Sequence, residues 1–205
     1  AQALIHENTL LRNGGLEVVL PPRLSTSTLV ALHKDPTELA LNIRRPMPRP
    51  QDEYSRRGTA FHLWIEKHFR AATLFDDDDL DFLDPLEPDQ TLEQLKNAWL
   101  ASDWAPRIPV AVEVPFEAVI GPVLVRGRID AVYEIDGRYE VIDWKTGSKQ
   151  LGKSAQVQLA MYRLAWAKLS GCDISKISAA FHYVPTGVTD KPSDLLEHNG
   201  TLLRS

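Results

Sequence analysis

The chain has 205 residues, 43% of them hydrophobic and 25% charged, and a formal net charge of -5 at pH 7. This suits one soluble globular domain with a full core, and with no apolar run near ~18–20 residues it excludes a membrane-spanning helix and a membrane partner. One cysteine, Cys172, excludes internal disulfides, a zinc knuckle and a four-cysteine iron–sulfur cluster and points to a reducing, cytoplasmic setting.

The acidic balance argues against a surface coated for duplex DNA, yet leaves room for a local basic channel, because steering depends on where charge sits. The chain opens at Ala1 without an initiator methionine, so it reads as a processed protein or, in preference, as a segment of a longer one. Residues 1–24 carry little periodicity, with Gly14-Gly15 and Pro21-Pro22 as breakers and Leu16 to Leu20 as a candidate short strand; they are expected to form a connector. In LSTSTLVALHKDP, Ser25, Thr26 or Ser27 can cap a short helix that stops near Asp35-Pro36. Asp35 can cap the next one, with Pro36 at its first position. The basic, proline-rich RRPMPRP after it predicts an exposed loop.

Ser55 to Arg70 reads as a helix whose apolar face is Phe61, Trp64, Ile65 and His68. His62 and Glu66 are i, i+4 on another face and can aim at one target. The acid run Asp76 to Asp79 with Asp81 predicts a solvated loop. Thr91 to Ser102 is a further helix, burying Leu92, Leu95 and Trp99. From Val110 the pattern changes to alternation. VAVEVPFEAVI, a turn at Gly121-Pro122, VLVRGRIDAVYEI and a second turn at Asp136-Gly137 predict a three-strand antiparallel meander. Asp-Gly suits a type I′ hairpin, which needs positive φ at both central positions. In the third strand, period 2 puts Val141, Asp143 and Lys145 on one face and Ile142 and Trp144 on the other.

Ser154 can cap a long helix running to Gly171, with Val157, Ala160, Met161, Leu164 and Ala165 as its core stripe and Gln158 and Tyr162 on the flank. KISAAFHYVP reads as a returning strand with Ile177, Ala179, Phe181 and Tyr183 on one face. The tail from Thr186 to Ser205 is polar and peripheral. The expected fold is α/β: a mixed central sheet, an antiparallel meander plus a returning strand, flanked by helices.

Asp130, Asp143 and Lys145 can converge. Two carboxylates beside an ammonium suit a hard divalent cation facing an anionic substrate, since Mg²⁺ or Mn²⁺ lowers the pKa of bound water and a lysine offsets charge growing on a phosphoryl group. His62 would add a nitrogen ligand, which favours tolerance of Mn²⁺. Arg126 and Arg128 alternate with Asp130 and could meet phosphate. Each feature has a plainer alternative: Asp143 and Lys145 as a surface cross-strand pair worth at most about 1 kcal/mol, His62 as a half-buried helix residue, Gln158 and Tyr162 as a polar helix face, and the two arginines as a solvated strand edge.

The order G-x-x-x-H (Gly58, His62), GRID ending in Asp130, DWK (Asp143, Lys145) and Q-x-x-x-Y (Gln158, Tyr162), after an LSTST entry, resembles the RecB-type branch of the PD-(D/E)xK nucleases over about Leu24 to Tyr183. The nearest resemblance is to the C-terminal nuclease module of actinobacterial AdnAB helicase–nucleases. It implies a nuclease-like fold over 25–205, preceded by a connector from a helicase region. It also implies metal ligation by His62, Asp130, Asp143 and the Trp144 main-chain carbonyl, with Lys145, Asp143 and Asp130 catalytic. Gln158 and Tyr162 would lie beside the site and help place single-stranded DNA or the lysine, with Arg128 as the phosphate contact that alternation offers, and Glu113 or Glu66 could touch a metal-bound water. The implied cofactor is Mg²⁺ or Mn²⁺, without the iron–sulfur cluster of some relatives, because Cys172 stands alone. The implied partners are helicase motor domains in the same polypeptide and a second helicase–nuclease subunit, and the implied role is the processing of DNA ends in double-strand-break repair. The competing expectation is a non-catalytic DNA-binding or subunit-docking module that keeps the fold.

Overall fold

A computed structural model describes residues 18–46, 53–73, 90–120, 123–148, 152–193 and 195, without the side chains of residues 71–73, 90, 120 and 153. The expectations for residues 1–17, for the end of RRPMPRP, for the acid run at 76–81, for the Gly121-Pro122 turn and for the tail beyond 195 lie outside the described residues.

The described strands are β1 (Arg23–Ser25), β2 (Ala111–Ile120), β3 (Val123–Ile135), β4 (Arg138–Lys145), β5 (Ile177–Tyr183) and β6 (Val188–Asp190). The helices are α1 (Thr26–Lys34), α2 (Pro36–Arg44), α3 (Glu53–Thr73), α4 (Gln90–Leu100) and α5 (Lys153–Ser170), with a 3-10 turn at Ile174–Lys176 before β5. They build one mixed six-stranded sheet in the order β1-β3-β4-β5-β6, with β2 also on β3. β2-β3-β4 is the antiparallel meander, and β4-α5-β5 is a parallel crossover unit. The expected fold class is what the chain adopts.

Local signals account for most element ends. Ser25 Oγ accepts from the Thr28 amide and Asp35 accepts from the Glu38 amide, so each caps its helix, and Pro36 takes the first position of α2. Asp136 and Gly137 both take positive φ, 53° and 71°, as the hairpin turn requires. Gly171 ends α5 in the left-handed region.

Three expectations need correcting. The cap of α5 is Gly152, with no side-chain bond, in place of Ser154. Residues 18–20 carry no strand; instead Arg23 and Leu24, at the end of the expected connector, already belong to the sheet as part of β1. β6 forms inside the expected polar tail. β3 also changes neighbours along its length, pairing β1 over Leu124 to Arg126 and β4 only from Ala131 onward. Strands of three residues have no periodicity of their own to read and exist through their partners.

Two cores sandwich the sheet. One gathers Phe116, Val125, Ile129, Val141 and Phe181 under α5, through Leu159, Ala160 and Met161. The other joins Phe61 and Ile65 of α3 with Leu95 and Trp99 of α4 over Tyr133, Ile142 and Trp144. Val141 and Ile142 thus face opposite layers, as strand alternation requires.

Gly127, the first residue of GRID, has a packing role. A Cβ there would overlap Thr26 Oγ1 and the Phe116 ring, and the Thr26 hydroxyl donates to the Arg126 carbonyl at 3.2 Å. The start of α1 is therefore docked on a strand that only glycine leaves bare. Gly127→Ala is expected to cost about 1–3 kcal/mol through overpacking, read as a lowered urea midpoint with unchanged slope.

Candidate active site

The two-residue links decide which side chains meet. Ile120 pairs Val123 and Ile135 pairs Arg138, so counting back along each hairpin sets Glu113 opposite Asp130 and Asp130 opposite Asp143. One row across three strands thus carries three carboxylates. The ladder is open at this row. Glu113 takes a positive φ of 51°, a conformation that costs a non-glycine residue on the order of 1–3 kcal/mol and collects at functional sites. Asp130 accepts the Trp144 amide at 2.9 Å through its own side chain, in place of a backbone bond.

Helix α3 adds the imidazole. His62 Nδ1 lies 3.3 Å from Glu113 Oε1 and 3.6 Å from Asp130 Oδ2. The ligand atoms of His62, Glu113 and Asp130 all fall within 4.8 Å of one another, and one imidazole nitrogen with two carboxylates is a donor set that suits Mn²⁺ or Mg²⁺. Glu113 is thus part of the cluster, closer than the sequence reading placed it. The signal for it was the short spacing between the two alternating runs, because register follows from that spacing.

Helix α5 supplies the other half. Gln158 donates through Nε2 to Asp143 Oδ1 at 2.8 Å and to the Tyr162 hydroxyl at 2.7 Å, and accepts from Lys145 Nζ at 3.2 Å. An amide carries a donor and an acceptor at fixed positions, so it can face a carboxylate and an ammonium at once with the right polarity for each. Lys145 Nζ lies 2.5 Å from Asp143 Oδ2 and 4.9 Å from the Phe181 ring centroid. Burial, then the charges of Asp143 and Asp130, hold the Tyr162 phenol well above its ordinary pKa, so it stays neutral and available as a donor.

Asp130 and Asp143 are 7% and 2% exposed, so their charges are poorly solvated. Burial first and the Asp143 charge second push the Asp130 carboxyl up to about 7, against the opposing pull of His62 and the Trp144 amide. Burial would lower His62, but Asp130, Glu113 and Asp143 outweigh it and raise the imidazole to about 9. The metal-free site thus holds an imidazolium among carboxylates.

Of the sequence-derived set, His62 and Asp130 meet in the cluster with Glu113, and Asp143, Lys145, Gln158 and Tyr162 form a second hydrogen-bonded group beside it, with Asp143 one row position from Asp130. The Trp144 amide is engaged by Asp130, while its ring packs into the α3–α4 core. Arg128 reaches Glu113 Oε2 at 3.5 Å from an exposed position, and Arg126 pairs with Glu117 at 2.6 Å, away from the cluster. Glu66 pairs with Arg70 at 2.7 Å and lines, with His62, Glu113 and Arg128, a pocket of ≈ 230 Å³. Gly58 stands one turn before His62. A Cβ there would meet only Thr146 Oγ1, at 3.5 Å, so packing does not require the glycine, although it costs a helix roughly 0.5–1 kcal/mol.

The family model described as "PD-(D/E)XK nuclease superfamily" matches residues 23–198. The chain is similar to Gene 69 protein of Mycobacterium phage D29, 36% identical over 95 residues that make up 46% of this chain and 33% of that protein. It is also similar to Gene 69 protein of Mycobacterium phage L5, 34% identical over 83 residues, or 40% of this chain and 28% of that one. The chain therefore spans about a third of the length of these curated relatives. Among solved structures, it shares the fold of a candidate exonuclease from Eubacterium rectale, with a TM-score of 0.53 at 11% identity, over 89% of this chain and 77% of that one.

Proposed function

The chain belongs to the PD-(D/E)XK nuclease superfamily, and from that membership we propose that it is a divalent-metal-dependent deoxyribonuclease that hydrolyses phosphodiester bonds of single strands. The observation that carries this reading is the row Glu113–Asp130–Asp143, closed by His62 on one side and by Lys145 with Gln158 on the other. His62, Asp130 and Glu113 would hold Mg²⁺ or Mn²⁺, with Asp143 and the Trp144 carbonyl as further ligands. The bound ion supplies Lewis acidity for the phosphoryl oxygens and a water of lowered pKa. Lys145 offsets charge growing on the phosphoryl group. Gln158 fixes the Asp143–Lys145 geometry, Tyr162 donates from beside it, and Arg128 meets the backbone of the strand.

The completeness of this network argues against a non-catalytic docking module. A 5′-labelled single-stranded oligonucleotide is expected to be cut in Mn²⁺ or Mg²⁺ and to stay whole in EDTA. Binding without any metal-dependent product would favour the docking module instead.

The motif order G-x-x-x-H, GRID, DWK, Q-x-x-x-Y supports a finer assignment. In it the nuclease serves a helicase–nuclease that processes DNA ends in recombinational repair, with motor domains in the same polypeptide and a second subunit. A stand-alone nuclease is the second reading. The aligned 95 residues make up 33% of the phage D29 protein, which leaves that relative too short for this domain plus two motor domains of ordinary size. Single-strand-stimulated ATP hydrolysis by the full-length native polypeptide would decide for the first, and its absence for the second.

A further inference from the structure

The site described above uses one stripe of α3, formed by Thr59, His62 and Glu66. Tyr54 and Arg57 project from a neighbouring stripe nearer the start of the helix, into a larger hollow of ≈ 500 Å³. Its other walls are α4, through Gln94 and Leu95, and residues 146–148, which follow Lys145 directly. The hollow is thus the immediate neighbour of the DWK strand end, and its size is that of a small-ligand site.

Its lining is chemically mixed in a specific way. Tyr54 is 77% exposed, a costly placement for an aromatic ring, and the Arg57 guanidinium lies 5.7 Å from its centroid. Leu95 gives an apolar wall, while Thr146 and Gln94 give hydrogen-bonding groups. Among the described residues, a Cβ built on Gly147 would meet nothing within 4 Å, so no described side chain covers the backbone there. An aromatic face, a guanidinium and exposed backbone are what an unpaired nucleotide needs: a surface on which any base can stack, a charge for the phosphate, and donors that read no sequence. Gly58 lies on α3 one turn after Tyr54 and one turn before His62, with Thr146 Oγ1 3.5 Å from where its Cβ would be.

We propose that this hollow seats one unpaired nucleotide of the DNA strand beside the scissile phosphate, its base stacked on Tyr54 and its phosphate held by Arg57. The proposal rests on the nuclease reading for the identity of the strand. The hollow adjoins the end of the DWK strand, and Arg128 lines the pocket beside His62, so the strand would reach from one to the other.

The test measures binding and cleavage separately. Fluorescence anisotropy of a labelled oligothymidine, with Ca²⁺ in place of the catalytic ion, is expected to show binding weakened roughly tenfold in Tyr54→Ala and retained in Tyr54→Trp. An oligonucleotide carrying a single abasic position, moved along the strand, should lose the same factor at one position on the wild type and nothing on Tyr54→Ala. Arg57→Gln should lower the salt dependence of binding by about one counterion. Tyr54→Ala and Arg57→Gln binding like the wild type would overturn the proposal. Mn²⁺-dependent cleavage by the wild type, run alongside, keeps the two ideas apart. Cleavage without a Tyr54 effect removes the nucleotide seat, and a Tyr54 effect without cleavage keeps the seat and removes the nuclease reading.

Discussion

Asp130→Asn is expected to reduce metal-dependent cleavage by roughly 10³-fold, the worth of several kcal/mol of charge stabilisation, and to make the metal-free protein more stable at pH 8. The two effects have one cause. Asp130 sits in a row with Asp143 and Glu113, and burial and their charges push its carboxyl from 3.8 up to about 7. A carboxyl raised in the folded state contributes stability that is complete below its unfolded pKa and is lost as pH rises through its folded value. At pH 8 the ionised Asp130 therefore works against the fold, on the order of a few kcal/mol at about 1.4 kcal/mol per unit. Asparagine removes that charge and can still accept the Trp144 amide. The midpoint of thermal unfolding in EDTA should rise by several degrees at pH 8 and barely change at pH 4, where the native carboxyl is protonated already. A variant that loses activity and also melts lower at pH 8 would show Asp130 to be a structural support, and the reading of the row as a charge reservoir for a cation would fall.

Much of this site could be read from the sequence because its parts obey short-range rules. Asp136-Gly137 demands a tight turn, alternation puts Asp143 and Lys145 on one face, and helical spacing puts Gln158 beside Tyr162. What the sequence left less sharp needed two elements at once. Glu113 looks like any solvated acid on an alternating strand until the register of both hairpins is counted together, and its positive φ has no local sequence cause. The role of Gly127 depends on Thr26, a hundred residues away in the chain, and cannot be inferred from either alone. β1 and β6 are three residues each and take their strand character from β3 and β5. The site therefore occupies the place where local rules stop applying: β3 has left β1 and not yet met β4, and side chains of Asp130 and Glu113 occupy the open row.

The affinity for Mn²⁺ is expected to rise steeply with pH, with a slope that changes near 7. A ligand must be free of its proton to bind a metal. Below about pH 7 both Asp130 and His62 carry one, so two protons leave on binding and affinity gains about a hundredfold per pH unit. Between about 7 and 9 only His62 is still protonated, held there by Asp130, Glu113 and Asp143 against the effect of its own burial, and the gain falls to about tenfold per unit. Above about 9 the affinity levels off. In physical terms the His62 imidazolium stands in for the missing cation and is discharged when the cation arrives. Calorimetric titration at pH 8 in two buffers of different ionisation enthalpy should report about one proton released. His62→Ala should weaken binding and remove the imidazole's share of that release, leaving only what comes from Asp130, whose carboxyl rises once the pull of His62 is gone. A wild-type affinity independent of pH between 7 and 9 would mean that His62 is not a ligand. The ion would then be held by the acids alone, with His62 only a counter-charge at the edge of the site.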